Sequence, residues 1–221
     1  MGRAHPPPPF TSTFVTPSRR VVVPASCRLP LRASALRNSD AHFPGRYNGR
    51  VAFRICQFRK DDFEQLWAID QECFPPGISY TRIELAFYMR RAHAFTLVAE
   101  SVAPKAASGT ESAAGLPPGR GIAGFIVGEG STRGAGHIIT IDVRAEARRH
   151  RVGTALLQAA EECLRAGGSR HVFLETAVDN APALAFYKRH GYQLIKTIPR
   201  YYKNNLDALL LGKKLTSPAV S

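Results

Sequence analysis

The chain predicts an α/β fold with a mixed sheet, in the α+β sense, and three observations carry that expectation. Segments of period two and segments of helical period interleave along the last three-quarters of the chain, in the order β-α-α-β-β-β-α-β-α-β-β. Two strand patterns, 136–143 and 171–176, run through short loops into helical patterns, as in parallel layer folds. The other strands are joined by turn-rich stretches that suit antiparallel neighbours.

Each element has its own signal. Residues 51–58 alternate, with Val51, Phe53 and Ile55 on one face. Asp61 and Asp62 can cap a helix that carries Phe63, Leu66, Trp67, Asp70 and Phe74 at helical spacing, and Pro75-Pro76-Gly77 stops it. Thr81 can cap a second helix through Leu85, Tyr88 and Met89. Residues 95–100 and 121–129 read as strands joined by a long Ala/Ser/Gly/Pro connection over 101–120. The 136–143 strand follows. Val152, Leu156, Ala159, Ala160, Cys163 and Leu164 then form one helical face that ends at Gly167-Gly168. A buried-type strand covers 171–176. Asn180 opens a helix with Pro182 in its first turn and Gly191 at its end. Strands at 192–198 and 207–215 complete the order.

Composition narrows the function classes. The 221 residues are 44% hydrophobic, and no run approaches the ~18 apolar residues of a membrane span. Lys+Arg number 30 against 17 Asp+Glu, a net charge of +13 that favours anionic partners. The first fifty residues hold eight arginines, no lysine and one acid, Asp40, among prolines and serines. Residues 1–45 therefore read as a disordered basic tail, and 46–221 as the folded domain. The scarcity of acids in the tail also resembles an organelle transit peptide, although a cytoplasmic location is the expectation. Cysteines at 27, 56, 73 and 163 form no CxxC, and no HExxH is present, so no metal is expected. The cluster Gly128-Glu129-Gly130-Ser131-Thr132-Arg133-Gly134 precedes a strand rather than a helix, so it reads as a hairpin turn and not as a dinucleotide loop.

Two stretches carry chemistry. From Ile141, Asp142 and Val143 the chain passes through Arg148, Arg149, His150 and Arg151 into a helix opened by Val152, Gly153 and Thr154. Free backbone N–H groups and the positive end of the helix dipole meet there, with arginines around them, so the loop is a candidate anion site. Farther on, Glu175 ends a strand, and Asn180 and Tyr187 lie seven apart on one helical face.

These stretches resemble the acetyl-CoA-binding core of the GNAT superfamily of N-acetyltransferases. The likeness is greatest to the RimI-type enzymes that acetylate protein N-termini. Arg148 to Ala155 resembles the pyrophosphate loop Q/R-x-x-G-x-G/A, with Arg151 in place of the first glycine. Asn180 to Tyr192 resembles N-x-x-A-x-x-x-Y-x-x-x-G-F/Y, and Tyr201-Tyr202 with Asp207-Ala208 resembles the tyrosine pair and D/E-A of RimI-type proteins. The resemblance implies a V-shaped split between the fourth and fifth strands. Acetyl-CoA would lie in it against the backbone of Ile141 and Val143, with its pyrophosphate on N–H groups from Arg149 to Thr154 and with Asn180 beyond the thioester. It further implies Glu175 as general base, Tyr187 as general acid, and an acceptor site at Phe74, Ile78, Tyr80, Tyr201 and Tyr202. The implied acceptor is a protein N-terminus, with a ribosomal protein as one candidate, and no membrane or nucleic-acid role is expected. A small-molecule amine or a lysine side chain is the alternative acceptor, and a nucleic-acid-binding module on a degenerate acetyltransferase fold is a third reading.

Overall fold

The computed structural model describes residues 52–102 and 121–215. The tail and most of the 101–120 connection lie outside the described residues. Seven strands form one sheet in the order β1-β2-β3-β4-β5-β7-β6. They are β1 (Ala52–Gln57), β2 (Ala94–Val102), β3 (Ile122–Gly130), β4 (Ala135–Val143), β5 (His171–Ala177), β6 (Gln193–Ile198) and β7 (Ala208–Lys214). Four helices cover it: α1 (Phe63–Cys73), α2 (Arg82–Met89), α3 (Val152–Ala166) and α4 (Ala181–Arg189). The predicted order of elements is the observed one. Every neighbouring pair is antiparallel except β4 and β5.

Period-two burial sorts the strands between two layers. Leu97 of β2 and Ile126 of β3 face α3, packing with Leu156, Leu157, Ala160 and Leu164. Their chain neighbours Val98, Phe125 and Val127 face the other way, onto Leu66 and Ile69 of α1 and Leu85 of α2. The central strand β3 is covered on both sides, and Ile122 to Gly128 are all buried. A sheet with helices on both faces buries its middle strands continuously, which is why β3 reads as an apolar run.

Helix ends follow the local chemistry. Thr81 and Glu84 form a reciprocal capping box at α2. Asn180 Oδ1 accepts from the backbone N–H of Ala183 at 3.1 Å to start α4. At α1 the expected cap takes another form: Asp62 is helical in conformation, and its carboxylate accepts from the backbone N–H of Arg59 at 2.8 Å, behind the helix. Gly191 ends α4 with φ +83°, a conformation that L-residues with a side chain adopt only under strain.

Candidate active site

β4 and β5 pair over only three positions, Ala135↔His171, Gly136↔Val172 and His137↔Phe173. Beyond them the two strands part, and a wedge opens between Ile138–Val143 and Leu174–Ala177. This is the V-shaped split that the resemblance implied. The backbone N–H of Arg144 donates to Ala123 O at 3.0 Å, toward β3. By alternation, the backbone groups of Ile141 and Val143 then point away from β3 and into the split, where no strand meets them. The Val143 carbonyl is already engaged, accepting from Arg148 Nε at 3.0 Å and from the Cys73 thiol at 3.4 Å.

The basic loop lies at the open end of this wedge. Arg149 and Arg151 both take left-handed backbone conformations, φ 62° and 63°. Arg151 thus takes a backbone conformation that favours glycine, at a cost of roughly 1 kcal/mol. It also occupies the N-cap position of α3, where no side chain caps the helix. The N–H groups of Val152, Gly153 and Thr154 precede the first intrahelical bond, from Ala155 N–H to Arg151 O at 3.0 Å. A side-chain Cβ at Gly153 would meet Phe186 and Val143 at ordinary contact distance. His150 Nδ1 is buried with no protein partner among the described residues. The uncapped N–H groups, the exposed Arg149 and Arg151 and the open edge of β4 form a donor set suited to an anionic ligand. Arg148, in contrast, spends its guanidinium on the end of β4.

At the apex of the split, His137 Nε2 and Glu175 Oε2 are 2.6 Å apart. His137 belongs to the last paired position of β4, and Glu175 stands two residues past its partner Phe173, on the same face. The bond therefore bridges the strands just where their ladder stops. Glu175 is well buried and His137 a third exposed, so the imidazole is the more accessible half of the dyad. The sequence reading missed His137. Its only signal there was an imidazole within a strand pattern.

Tyr187 is 6% exposed, edge-on to Phe186 and close to Tyr192. Burial pushes its phenol well above the ordinary range. It stays protonated at any working pH. Asn180, expected to face the same ligand, has committed its carbonyl oxygen to the α4 cap.

A tyrosine cluster lies over the dyad. Tyr201 and Tyr202 meet edge to face at 5.0 Å, and Tyr80 and Tyr88 at 5.3 Å. The Tyr201, Tyr202 and Tyr88 hydroxyls are raised first by burial, and each also feels the negative charge of Glu175. Tyr88 was expected only as a position on the second helix. Lys203 Nζ reaches Glu84 Oε1 at 2.9 Å and clasps the β6–β7 connection to α2. Asp207 accepts from the backbone N–H of Arg200 at 2.7 Å and shapes the same connection. Phe74 and Ile78 are half-buried at the start of the α1–α2 loop, and no ring contact joins Phe74 to the tyrosines among the described residues.

With the wedge, the anion loop and the dyad described, comparison with known proteins decides the family. A model of the Acetyltransferase (GNAT) family matches residues 63–192. The chain belongs to the GNAT acetyltransferase family. An N-alpha-acetyltransferase of Sulfurisphaera tokodaii is 37% identical over 81 residues, 36% of this chain and 48% of that protein. Ard1 from Thermoplasma volcanium has a TM-score of 0.61 at 26% identity, covering 76% of this chain and 100% of that one. The Escherichia coli ribosomal-protein-S18-alanine N-acetyltransferase has a TM-score of 0.59 at 16% identity over 77% of this chain and 98% of that one, a likeness of fold. The aligned part of this GNAT chain spans about half the length of the curated relatives it matches.

Proposed function

We propose that this GNAT protein transfers the acetyl group of acetyl-CoA to an amine, and that the amine is the α-amino group of a protein N-terminus. The observation that carries the reading is the His137–Glu175 dyad at the apex of the β4–β5 split, within reach of both a cofactor in the wedge and the tyrosine cluster. Acetyl-CoA, when bound, supplies the activated thioester. Backbone groups of Ile141 and Val143 would hold its extended arm. The α3 N-terminus with Arg149 and Arg151 would hold its phosphates.

An amine attacks only when neutral. An α-amine, with a pKa near 8, gives up its proton more readily than a lysine near 10.4. Glu175, acting through His137 or with it, takes the proton as the amine attacks. Tyr187 faces the leaving sulfur in this scheme. Its phenol is pushed far above a thiol's value of about 8.5, so full proton transfer to the thiolate runs uphill. Its role is then to donate a hydrogen bond to the developing charge rather than to surrender its proton.

Tyr80, Tyr88, Tyr201 and Tyr202 form the acceptor wall under this reading, with Phe74 and Ile78 at its rim. The N-alpha-acetyltransferases among the relatives and the RimI-type motifs support a protein N-terminus, and ribosomal proteins belong among the acceptors to screen. Mass spectrometry of a peptide library offered with acetyl-CoA tests this. Acetylation at peptide N-termini is expected. Turnover confined to polyamines or internal lysines would overturn the acceptor class.

A further inference from the structure

Opposite β3, strand β4 slips by one residue. Val127 faces Thr140 and Gly128 faces Ile138, leaving Ile139 without a partner. Ile138, Ile141 and Val143 pack in the α3 layer and Ile139 in the α1–α2 layer. The bulge therefore shifts the alternation, so that Thr140 and Asp142 join Ile139 in facing α1. Without it, Asp142 would point toward α3.

This places Asp142 in a buried interface with Asp70 of α1. Asp142 is 1% exposed and Asp70 fully buried. Each has one carboxyl oxygen, Oδ1, with no protein partner among the described residues. The other oxygens are satisfied unequally. Asp70 Oδ2 accepts from the backbone N–H of Tyr80 at 2.8 Å and from Gln71 Nε2 at 2.9 Å, while Asp142 Oδ2 accepts only the Thr140 hydroxyl at 2.9 Å. Asp70 also feels Glu84 from α2. Asp142 faces Asp70, with Arg148 as its cationic neighbour, the Cys73 thiol under its influence and the Tyr187 phenol beyond. Arg148 makes its hydrogen bond to Val143 O instead.

Two ionised carboxylates cannot both persist there without a paired cation. A single proton resolves the problem, because a protonated carboxyl donates and an ionised one accepts. Asp70, with two N–H donors, is the better carboxylate, and Asp142 the better acid. We propose that Asp70 and Asp142 hold one proton between them at neutral pH, and that this acid pair positions the acceptor loop on the cofactor strand. Burial acts in the same direction, raising Asp142 strongly and Asp70 to about 6.

The pair reaches the acceptor wall through Tyr80. Besides its N–H on Asp70, the Tyr80 carbonyl accepts from Gln71 Nε2 at 2.8 Å and Trp67 Nε1 at 3.2 Å. Its hydroxyl donates to Ile139 O at 3.4 Å, at the bulge itself. Asp70 and Asp142 are positioning residues, since they act through Tyr80. The acceptor half of the inference rests on the acetyl-transfer reading above; the shared proton does not.

Carboxyl-carbon NMR titration of the full chain tests the proton directly and needs no acceptor. Asp70→Asn and Asp142→Asn assign the two signals by loss. In the wild type the Asp142 carboxyl should stay protonated to pH 8 while Asp70 ionises near pH 6. Both carboxyls ionised at pH 8 would overturn the pair. Asp142→Leu, of similar shape but without a donor, should raise the proton affinity of Asp70 about tenfold, and Asp142→Asn, whose amide can donate, should restore it. A fall in affinity in Asp142→Leu would mean that a like charge had been removed, and rejects the proposal. With an acceptor in hand, Asp142→Leu should raise KM for that acceptor about fivefold, more than KM for acetyl-CoA. An equal rise in both would reject the link to the acceptor loop.

Discussion

Arg151 is a single residue doing two opposed things. Its φ of 63° is a conformation in which glycine is unstrained, yet its side chain lies exposed at the mouth of an anion loop. Replacement by glycine removes roughly 1 kcal/mol of backbone strain, partly offset by the freer unfolded chain. Arg151→Gly should therefore unfold at the same or a slightly higher temperature. The same change should weaken CoA binding by about 1–3 kcal/mol, the scale of a charge-assisted contact to phosphate. Calorimetric titration with CoA and dephospho-CoA separates the two effects; equal or tighter binding in the variant means that the arginine makes no phosphate contact. At the apex of the split the dyad makes a different demand. Glu175→Gln and His137→Ala should each lower turnover by about 10²-fold, with the larger deficit at low pH where the amine is mostly protonated. Near-normal rates in both would leave positioning alone as the source of catalysis.

Elements matter here through their ends. The 2.6 Å bond between His137 and Glu175 exists because β4 and β5 stop pairing at His137. The end of α4 is set by Gly191, whose turn returns the chain to Tyr192 and so packs Tyr192 on Tyr187 at 5.5 Å. Tyr192 also donates to the buried Glu161 of α3 at 3.1 Å, and Lys213 of β7 meets both Glu161 oxygens at 2.9 and 2.7 Å. A side chain at Gly191 would strain this junction. Gly191→Ala should destabilise the protein by about 1–2 kcal/mol in denaturant titration and lower activity through Tyr187. A neutral result would show that the turn relaxes without moving α4.

For the whole molecule, stability should depend on pH and on cofactor. Asp70 rises from 3.8 to about 6 because burial disfavours its charge more than Tyr80 N–H and Gln71 offset it. The native state thus holds this proton more tightly than the unfolded chain. The stabilisation from it is complete below about pH 3.8 and is lost as pH rises through about 6, a change of roughly 3 kcal/mol. Asp70→Asn should flatten the stability profile between pH 4 and 6; an unchanged slope would mean that Asp70 titrates normally in the fold. CoA at a hundred times its dissociation constant should stabilise by about 2.7 kcal/mol if it binds only the folded state. That shift should survive deletion of residues 1–45, since the residues assigned to the cofactor all lie beyond them. Loss of the shift on truncation would place the tail in the binding unit.

Local chemistry was enough to read most elements from the sequence. Thr81, Asn180 with Pro182, and the glycines at 167, 168 and 191 mark helix ends by groups that act within four residues. The alternation of 136–143 and the single apolar face of 152–164 name a strand and a helix without reference to partners. The motifs at 148–155 and 180–192 likewise pointed to the GNAT family, and the family match bears this out. What the tertiary structure decided were contacts between residues far apart in sequence. His137 and Glu175 are 38 positions apart, and only the parting of two parallel strands brings them together. Tyr88 joined the site because α2 lies across from the β6–β7 connection. Asp142 turned toward Asp70 because one extra residue in β4 shifted the alternation, and a bulge is set by pairing with a neighbouring strand. Periodicity says which side of a strand is apolar; strand pairing determines what each side faces.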